Sequence, residues 1–360
     1  MADRRQGVLI VGARGRTAQT LVAGARLMAV GAVGAAYGIT GRPPFDGLQL
    51  LPPEAIVWGG WDTVDRLPSP EVLRLAAEAG VAVEALRPHA TFPAYASSLD
   101  FDASVGSTAT RDELRAQIGG FRTTHSVDDV IVINLSNPPR GHGENPRSAY
   151  AAAAVAEGCD FVEFTPTDSL TDELVDAAVQ HGCHVAGRDG STGQTFLKLV
   201  LADALEARGL AIRSWYSTNV LGNHDGEVLS DPRYAREKLH DKRRPLDGRL
   251  ADDANHVVRI DFVPDRDDEK EAWDSIRLEG WLGSRHRLHL TWEGADSFLA
   301  APMLLDLIRL LELSRRRRDP PGLRSELAPF FKNPLGTGHK PWVTQLADLV
   351  SWYCPNATSQ

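Results

Sequence analysis

Val8-Leu9-Ile10-Val11-Gly12-Ala13-Arg14-Gly15-Arg16-Thr17-Ala18 is the stretch on which the fold turns. Four apolar residues in a row fit a strand buried on both faces, since a half-exposed strand would alternate. Glycines at 12 and 15 then close a tight turn, and Gln19 to Met28 reads as a helix. Strand, glycine turn and helix start together describe a dinucleotide-binding βα unit, in which N–H groups at the helix start face a pyrophosphate. The spacing is GxxGxxA, not GxGxxG, so any tight strand–helix turn stays open as an alternative on these residues alone. Gly12, Arg14 and Gly15 are the candidate cofactor contacts of this turn.

Outward from it, strand and helix signals alternate. Ala55 to Trp58 reads as the second strand, with Asp62 just beyond it, placed to accept hydrogen bonds from an adenosine ribose. An acidic residue there favours NAD over NADP. The Pro- and Gly-rich loop from Gly41 to Pro53 accounts for its distance from the turn. Asp129 to Ile133 is a strand that ends in the polar loop Asn134 to Arg140, and Asn137 in that loop joins the cofactor candidates. Ser148 to Ala156 reads as a helix, Asp160 to Phe164 as a strand, Thr171 to Gln180 as a helix, His184 to Ala186 as a strand and Phe196 to Arg208 as a helix. Such alternation predicts an α/β, Rossmann-like doubly wound parallel sheet.

After about residue 210 the pattern changes. Ile212 to Tyr216, His256 to Val263, Ile276 to Trp281 and Arg287 to Trp292 are strand-like and poorly separated by helices. They predict a second, α+β domain on a more antiparallel sheet. Ser297 to Leu313 is again helical, and the run Arg315 to Arg318 reads as a helix end favoured by the macrodipole, against a nucleic-acid patch.

Composition limits function. With 39 basic and 48 acidic residues the net charge is −9, which disfavours a partner bound by phosphate neutralisation, so no nucleic acid is expected. Three cysteines without CxxC spacing form no disulfide framework and point to the cytoplasm. The apolar stretch Leu27 to Ile39 is too short and glycine-broken to span a bilayer, so neither membrane nor signal segment is expected.

Three further features carry chemistry. Gly187-Arg188-Asp189-Gly190-Ser191-Thr192-Gly193-Gln194-Thr195 is a glycine-rich strand–helix junction without the Gly-Lys-Ser/Thr of a P-loop, which argues against an ATP site. In Tyr216 to Gly226, Asn219, Asn223, His224 and Asp225 offer amides and a carboxylate for sugar hydroxyls; an ordinary polar loop is the alternative. No second histidine stands at ligand spacing, so a metal site is the weaker reading and the metal requirement stays open. Lysines are a minority of the basic residues. Lys238 and Lys242 are i,i+4 and share a helix face; Lys270 sits in an acidic run and Lys332 in an apolar one. A buried lysine can carry a proton, whereas a solvated face is the plain alternative for such spacing.

In this order the elements resemble the inositol-phosphate synthase family (1L-myo-inositol 1-phosphate synthase). Gly187 to Thr195 resembles that family's G-D-D-x-K-S-G-Q-T, Asn219 to Gly226 its N-H-L-G-N-N-D-G, and Asp296 to Asp306 its E-D-S-L-L-A-A-P-L-I-I-D-L. Further echoes are Gly60-Trp61-Asp62 for G-W-D-I, Asp268 to Asp274 for D-S-K-R-A-M-D, and Phe331-Lys332-Asn333-Pro334 for L-K-A-P. The resemblance spans nearly the whole chain. It implies an NAD-dependent, redox-neutral, usually tetrameric enzyme acting on a hexose 6-phosphate by oxidation at C5, enolisation and intramolecular aldol closure. It implies a Rossmann domain over residues 1–190, completed by 297–360, with an inserted catalytic and oligomerisation domain over 191–296.

By position, Lys238 then matches the family's proton-transfer lysine with Lys242 beside it, while Lys270 and Lys332 match those that steady phosphate and oxyanion. Asp189 and Asp225 match the acids that orient lysines or hydroxyls, and Thr192, Asp296 and Ser297 fall on the cofactor side. Asn219, Asn223, His224 and Gln194 are the expected substrate contacts. Ser191 stands where the family has lysine, Val220 where it has histidine, His224 where it has the second asparagine and Arg188 where it has the first aspartate. The D-E-Y region reads Asp274-Ser275-Ile276. The lysines stay while the wall around them changes. A divergent bacterial paralogue follows, for which fructose 6-phosphate is an expected substrate beside glucose 6-phosphate, and the Ala- and Arg-rich composition fits a secondary pathway. A net sugar-phosphate dehydrogenase or epimerase and a silent NAD-binding paralogue are the alternatives.

Overall fold

The computed structural model describes residues 4–34, 38–62, 69–86, 108–136, 147–222, 246, 249–266, 269–338 and 340–356. It is an α/β protein that divides into two units. The first comprises Met1–Gly190, Ala300–Gly338 and Asp348–Gln360; the second comprises Ser191–Leu299 and His339–Ala347.

The first unit is a six-stranded parallel sheet. Its strands are β1 (Gln6–Val11), β2 (Ile56–Trp61), β3 (Val130–Asn134), β4 (Asp160–Glu163), β5 (His184–Gly187) and β10 (Gly322–Leu323), in the spatial order β10-β5-β4-β3-β1-β2. Every neighbouring pair runs parallel. The apolar run at the start of the chain is β1, buried along its whole length as a central strand must be. Helix α1 (Arg16–Ala29) leads away from it. Strand order reverses at β1, which lies between β2 and β3, so the crevice at the carboxyl ends of β1 and β3 is a topological switch point. Helices α2 (Pro70–Glu78), α3 (Thr108–His125), α4 (Arg147–Ala156) and α5 (Asp172–Gln180) supply the crossovers. Leu114, Ile118 and Phe121 of α3 and Ala151 and Ala154 of α4 join Leu9, Val132, Phe161 and Val185 of the sheet in one core.

Close backbone approach fixes a glycine in β2. A Cβ on Gly60 would stand 2.2 Å from the Ile10 carbonyl oxygen and 2.8 Å from the Ala13 Cβ. Gly60→Ala is therefore expected to cost about 2–3 kcal/mol, at the upper end of overpacking effects, because a main-chain oxygen has no rotamer with which to yield. Chemical denaturation of the variant checks this, and an unchanged midpoint would contradict it.

The second unit holds β6 (Ala211–Leu221), β7 (Leu250–Phe262), β8 (Glu269–Glu279) and β9 (Arg285–Ala295), ordered β7-β6-β8-β9. The expectation of a more antiparallel sheet holds for β6–β8 and β8–β9, but β6 and β7 run parallel. Parallel neighbours need a long return connection, and β6 and β7 stand far enough apart in sequence to allow one. Helix α6 (Gly193–Ala207) begins at the glycine-rich junction, earlier than the apolar pattern indicated. Its Ala202 packs with Ile212, Trp215, Ile276 and Leu278 of the sheet. Trp281 belongs to a short 3-10 turn, Trp281–Gly283, instead of ending a strand, and it is exposed.

Helix α7 (Asp296–Arg317) begins in the second unit and ends in the first, where Leu304, Leu307, Ile308, Leu310 and Leu311 have no exposure. Its basic end is structural. Arg315 pairs with Asp160, and Arg316 with Glu312 one turn back. Helix α8 (Trp342–Tyr353) closes the described chain. All three cysteines are buried thiols. Among the described residues no helix is long and apolar enough to cross a membrane.

Candidate active site

The glycine turn of the first unit is held by its own main chain. The Gly12 and Ala13 N–H groups donate to the Trp61 carbonyl at 2.8 and 3.1 Å, and Gly15 N–H donates to the Gly12 carbonyl at 3.0 Å. Arg14 N–H donates to Asp62 Oδ2 at 2.7 Å. The ribose candidate Asp62 thus also pins the turn that it was expected to serve. Gly12 takes a left-handed φ of 87°, and a Cβ there would meet the Ser136 Cβ at 3.2 Å. Gly15 is the N-cap of α1 and offers no side-chain cap. A left-handed glycine facing the β3 loop and a helix start without a side-chain cap form a cradle that fits a dinucleotide pyrophosphate. Asn137, the other candidate of that loop, lies outside the described residues.

A second cluster stands at the carboxyl ends of β4 and β5. Segment Arg188–Gly190 pairs with Phe331–Asn333: Lys332 N–H donates to the Asp189 carbonyl at 2.6 Å, and Arg188 and Asn333 exchange main-chain bonds at 3.1 and 3.2 Å. This brings the Lys332 Nζ to 2.8 Å from Asp189 Oδ1, with side-chain exposures of 19% and 8%. Two candidates 143 residues apart are thereby one ion pair. Asp189 itself has a left-handed φ of 62°, a conformation that aspartate tolerates better than most residues.

Behind this pair sits a residue that the sequence reading missed. Glu163, the last residue of β4, is fully buried. It accepts from Asn134 Nδ2 at 3.0 Å on each oxygen, from the Thr165 N–H and hydroxyl at 3.0 and 2.6 Å, and from the Ser169 hydroxyl at 2.5 Å. Burial pushes its carboxyl up to about 7, against the pull of these donors. The Thr165 carbonyl in turn accepts the Asp189 N–H at 3.0 Å. A second acidic residue, closing a four-residue strand that already opens on Asp160, was the available signal.

In the second unit, Lys270 Nζ lies 2.8 Å from Asp296 Oδ2, and the Thr192 hydroxyl donates to Asp296 Oδ1 at 3.2 Å. Register places Lys270 opposite Leu221 of β6 and Gly294 of β9, so the pair forms where three strands end together. Ser297, the next residue after Asp296, is buried. Gln194 is turned inward: its amide donates to Asp274 Oδ2 at 2.9 Å, while Trp215 Nε1 and the Ser217 hydroxyl donate to Oδ1 at 2.7 and 2.5 Å. A substrate candidate therefore sits in a buried polar network. Asp274 was legible as an acid in register with the inward-facing Ala272, Ile276 and Leu278. Asn219 lies within β6 and is buried, since the strand runs on to Leu221, five residues past its expected end. Lys198 of α6 is also buried, its Nζ 6.0 Å from the centre of the Trp215 ring. Ser191, at the position of the family's lysine, is 5% exposed, and its hydroxyl has no partner among the described residues. Asn223, His224, Asp225, Lys238 and Lys242 lie outside the described residues.

Residues 193–297 match the family model described as myo-inositol-1-phosphate synthase. Across 93% of its length the chain is 30% identical to inositol-3-phosphate synthase 1 of Bacteroides thetaiotaomicron, and it covers 90% of that protein. The chain belongs to the inositol-phosphate synthase family. That family consists of NAD-dependent isomerases, and the chain is an enzyme of this class. To the human inositol-3-phosphate synthase 1 the chain is 32% identical over 75% of its length, and it spans 56% of that longer protein. The crystal structure of the Caenorhabditis elegans inositol-3-phosphate synthase shares the synthase fold, with a TM-score of 0.78 over 98% of this chain and 86% of that one, at 22% identity.

Proposed function

We propose that this synthase-family enzyme converts a hexose 6-phosphate into a carbocyclic phosphate without net redox change, and that fructose 6-phosphate is its substrate. Gly12, Gly15 and Asp62 would hold NAD, and the bound group would supply the hydride chemistry at C5. The protein's own groups do the rest. One lysine removes a proton from C6 once C5 is a ketone, and Lys238, together with Lys242, is assigned that transfer. The new C6–C2 bond closes a five-membered ring, and the C2 carbonyl oxygen takes up a proton. With glucose 6-phosphate the same steps would join C6 to C1 in a six-membered ring.

The observation that carries this reading is the pair of lysine–carboxylate contacts, Lys332–Asp189 and Lys270–Asp296. Each holds an ammonium group in a fixed, half-enclosed place, as electrostatic stabilisation of phosphate and enolate oxygen demands. Ser191 supports the altered substrate, because a small buried hydroxyl replaces a long cation in the motif. The enzyme is assigned to the cytoplasm as a homotetramer, which light scattering tests directly.

Incubation of the purified chain with NAD and either sugar phosphate, followed by dephosphorylation, mass analysis and NMR, decides the chemistry. A carbocyclopentane from fructose 6-phosphate with no accumulated NADH is expected. Net NADH release would instead indicate a dehydrogenase, and a six-membered ring from glucose 6-phosphate alone would overturn the substrate assignment.

A further inference from the structure

The Glu163 carboxylate has a reach beyond its own strand. By accepting from Asn134 Nδ2 with both of its oxygens, it fixes which way that amide faces. The Asn134 Oδ1 is then turned to the following loop, where it accepts the Ser136 N–H at 3.1 Å. Leu135 N–H meanwhile continues the pairing with β1 through the Val11 carbonyl at 3.0 Å. Ser136 is the residue against which Gly12 closes: its Cβ and N lie 3.2 and 3.4 Å from where a Gly12 Cβ would be. One line of contacts thus runs from Glu163 through Asn134 and Ser136 to the glycine turn, across the switch point of the sheet.

We propose that Glu163 is a positioning residue for the dinucleotide, acting through the Asn134 amide to set the β3 loop against Gly12. The assignment rests on the NAD reading of that turn. It requires a carboxylate specifically. A glutamine would put an NH2 group where one oxygen stands, facing the Asn134 NH2 donor. Relief of that donor–donor contact turns the amide over, and its oxygen is lost to Ser136.

Calorimetric titration of the nucleotide-free, full-length chain with NAD tests this. Glu163→Gln and Asn134→Ala are each expected to weaken NAD binding about tenfold, the size of one well-placed hydrogen bond. Because both act on the same loop, the double variant should also lose about tenfold and not a hundredfold. Additive losses, or wild-type affinity in Asn134→Ala, would overturn the assignment even if Glu163→Gln failed to fold. Failure of the wild-type chain itself to bind NAD would instead overturn the cofactor reading, and this assignment with it.

Discussion

Lys332→Met is expected to lower kcat/KM about a thousandfold while leaving NAD affinity within about a factor of two. The magnitude is that of removing one preorganised charge from developing anionic oxygen, about 4 kcal/mol of barrier. Lys332 is placed by main-chain pairing of residues 331–333 with 188–190, so its position does not depend on the charge that is removed. Methionine keeps the stem volume and drops only the ammonium group. Asp189, left without that partner, keeps its main-chain anchors to Thr165 and Lys332. Asp189→Asn makes the complementary variant, and it should lose only about tenfold, since the amide oxygen still accepts from Nζ while the lysine keeps its charge. Steady-state kinetics on both variants with matched NAD titrations read this out. Near-wild-type turnover in Lys332→Met would remove the lysine from the chemistry.

Arg315→Leu is expected to destabilise the protein by about 3–5 kcal/mol, because it strands a buried carboxylate. Asp160 has no exposure, and Arg315 reaches it through Nη2 at 2.5 Å and Nε at 3.1 Å. What remains is the His184 N–H at 2.7 Å and the His184 ring at 3.3 Å. The expected fall in Tm is on the order of 10 °C. Burial would push the Asp160 carboxyl up, but the bond from His184 and the Arg315 charge outweigh it and hold the carboxyl below its ordinary range. In the wild type this group therefore adds stability above the ordinary carboxylate pKa, and that contribution is lost as pH falls through its lowered value. In Arg315→Leu the burial penalty is opposed by His184 alone, so the deficit should be largest at neutral pH and shrink on acidification. Asp160→Asn in the same background should restore about half of the loss. A deficit independent of pH would assign the effect to lost packing of the arginine stem, not to charge.

Local patterns made much of the first unit readable. The run from Val8 to Val11, the glycine turn and the alternation through Arg208 reflect burial on two faces and 3.6-residue periodicity, both properties of short segments. The start of α6 was read late because Gly193 and Gln194 carry no apolar signal; they are helical through packing and through the amide bond to Asp274. The parallel β6–β7 pairing was not legible, since a strand's own sequence does not say which way its neighbour runs.

The site shows the same division. Residue type and context singled out Lys270 and Lys332, and the family resemblance added Asp189 and Asp296, because ammonium and carboxylate chemistry belongs to the residue. That Lys332 meets Asp189, that Gln194 turns inward to Asp274, and that Glu163 governs Asn134 depend on contacts between segments distant in sequence. The sequence determined which groups are available and which segments become strand or helix. Only the tertiary structure decided which acid faces which base, because that pairing is set by strand order and register, where one residue of slip turns a side chain to the opposite face.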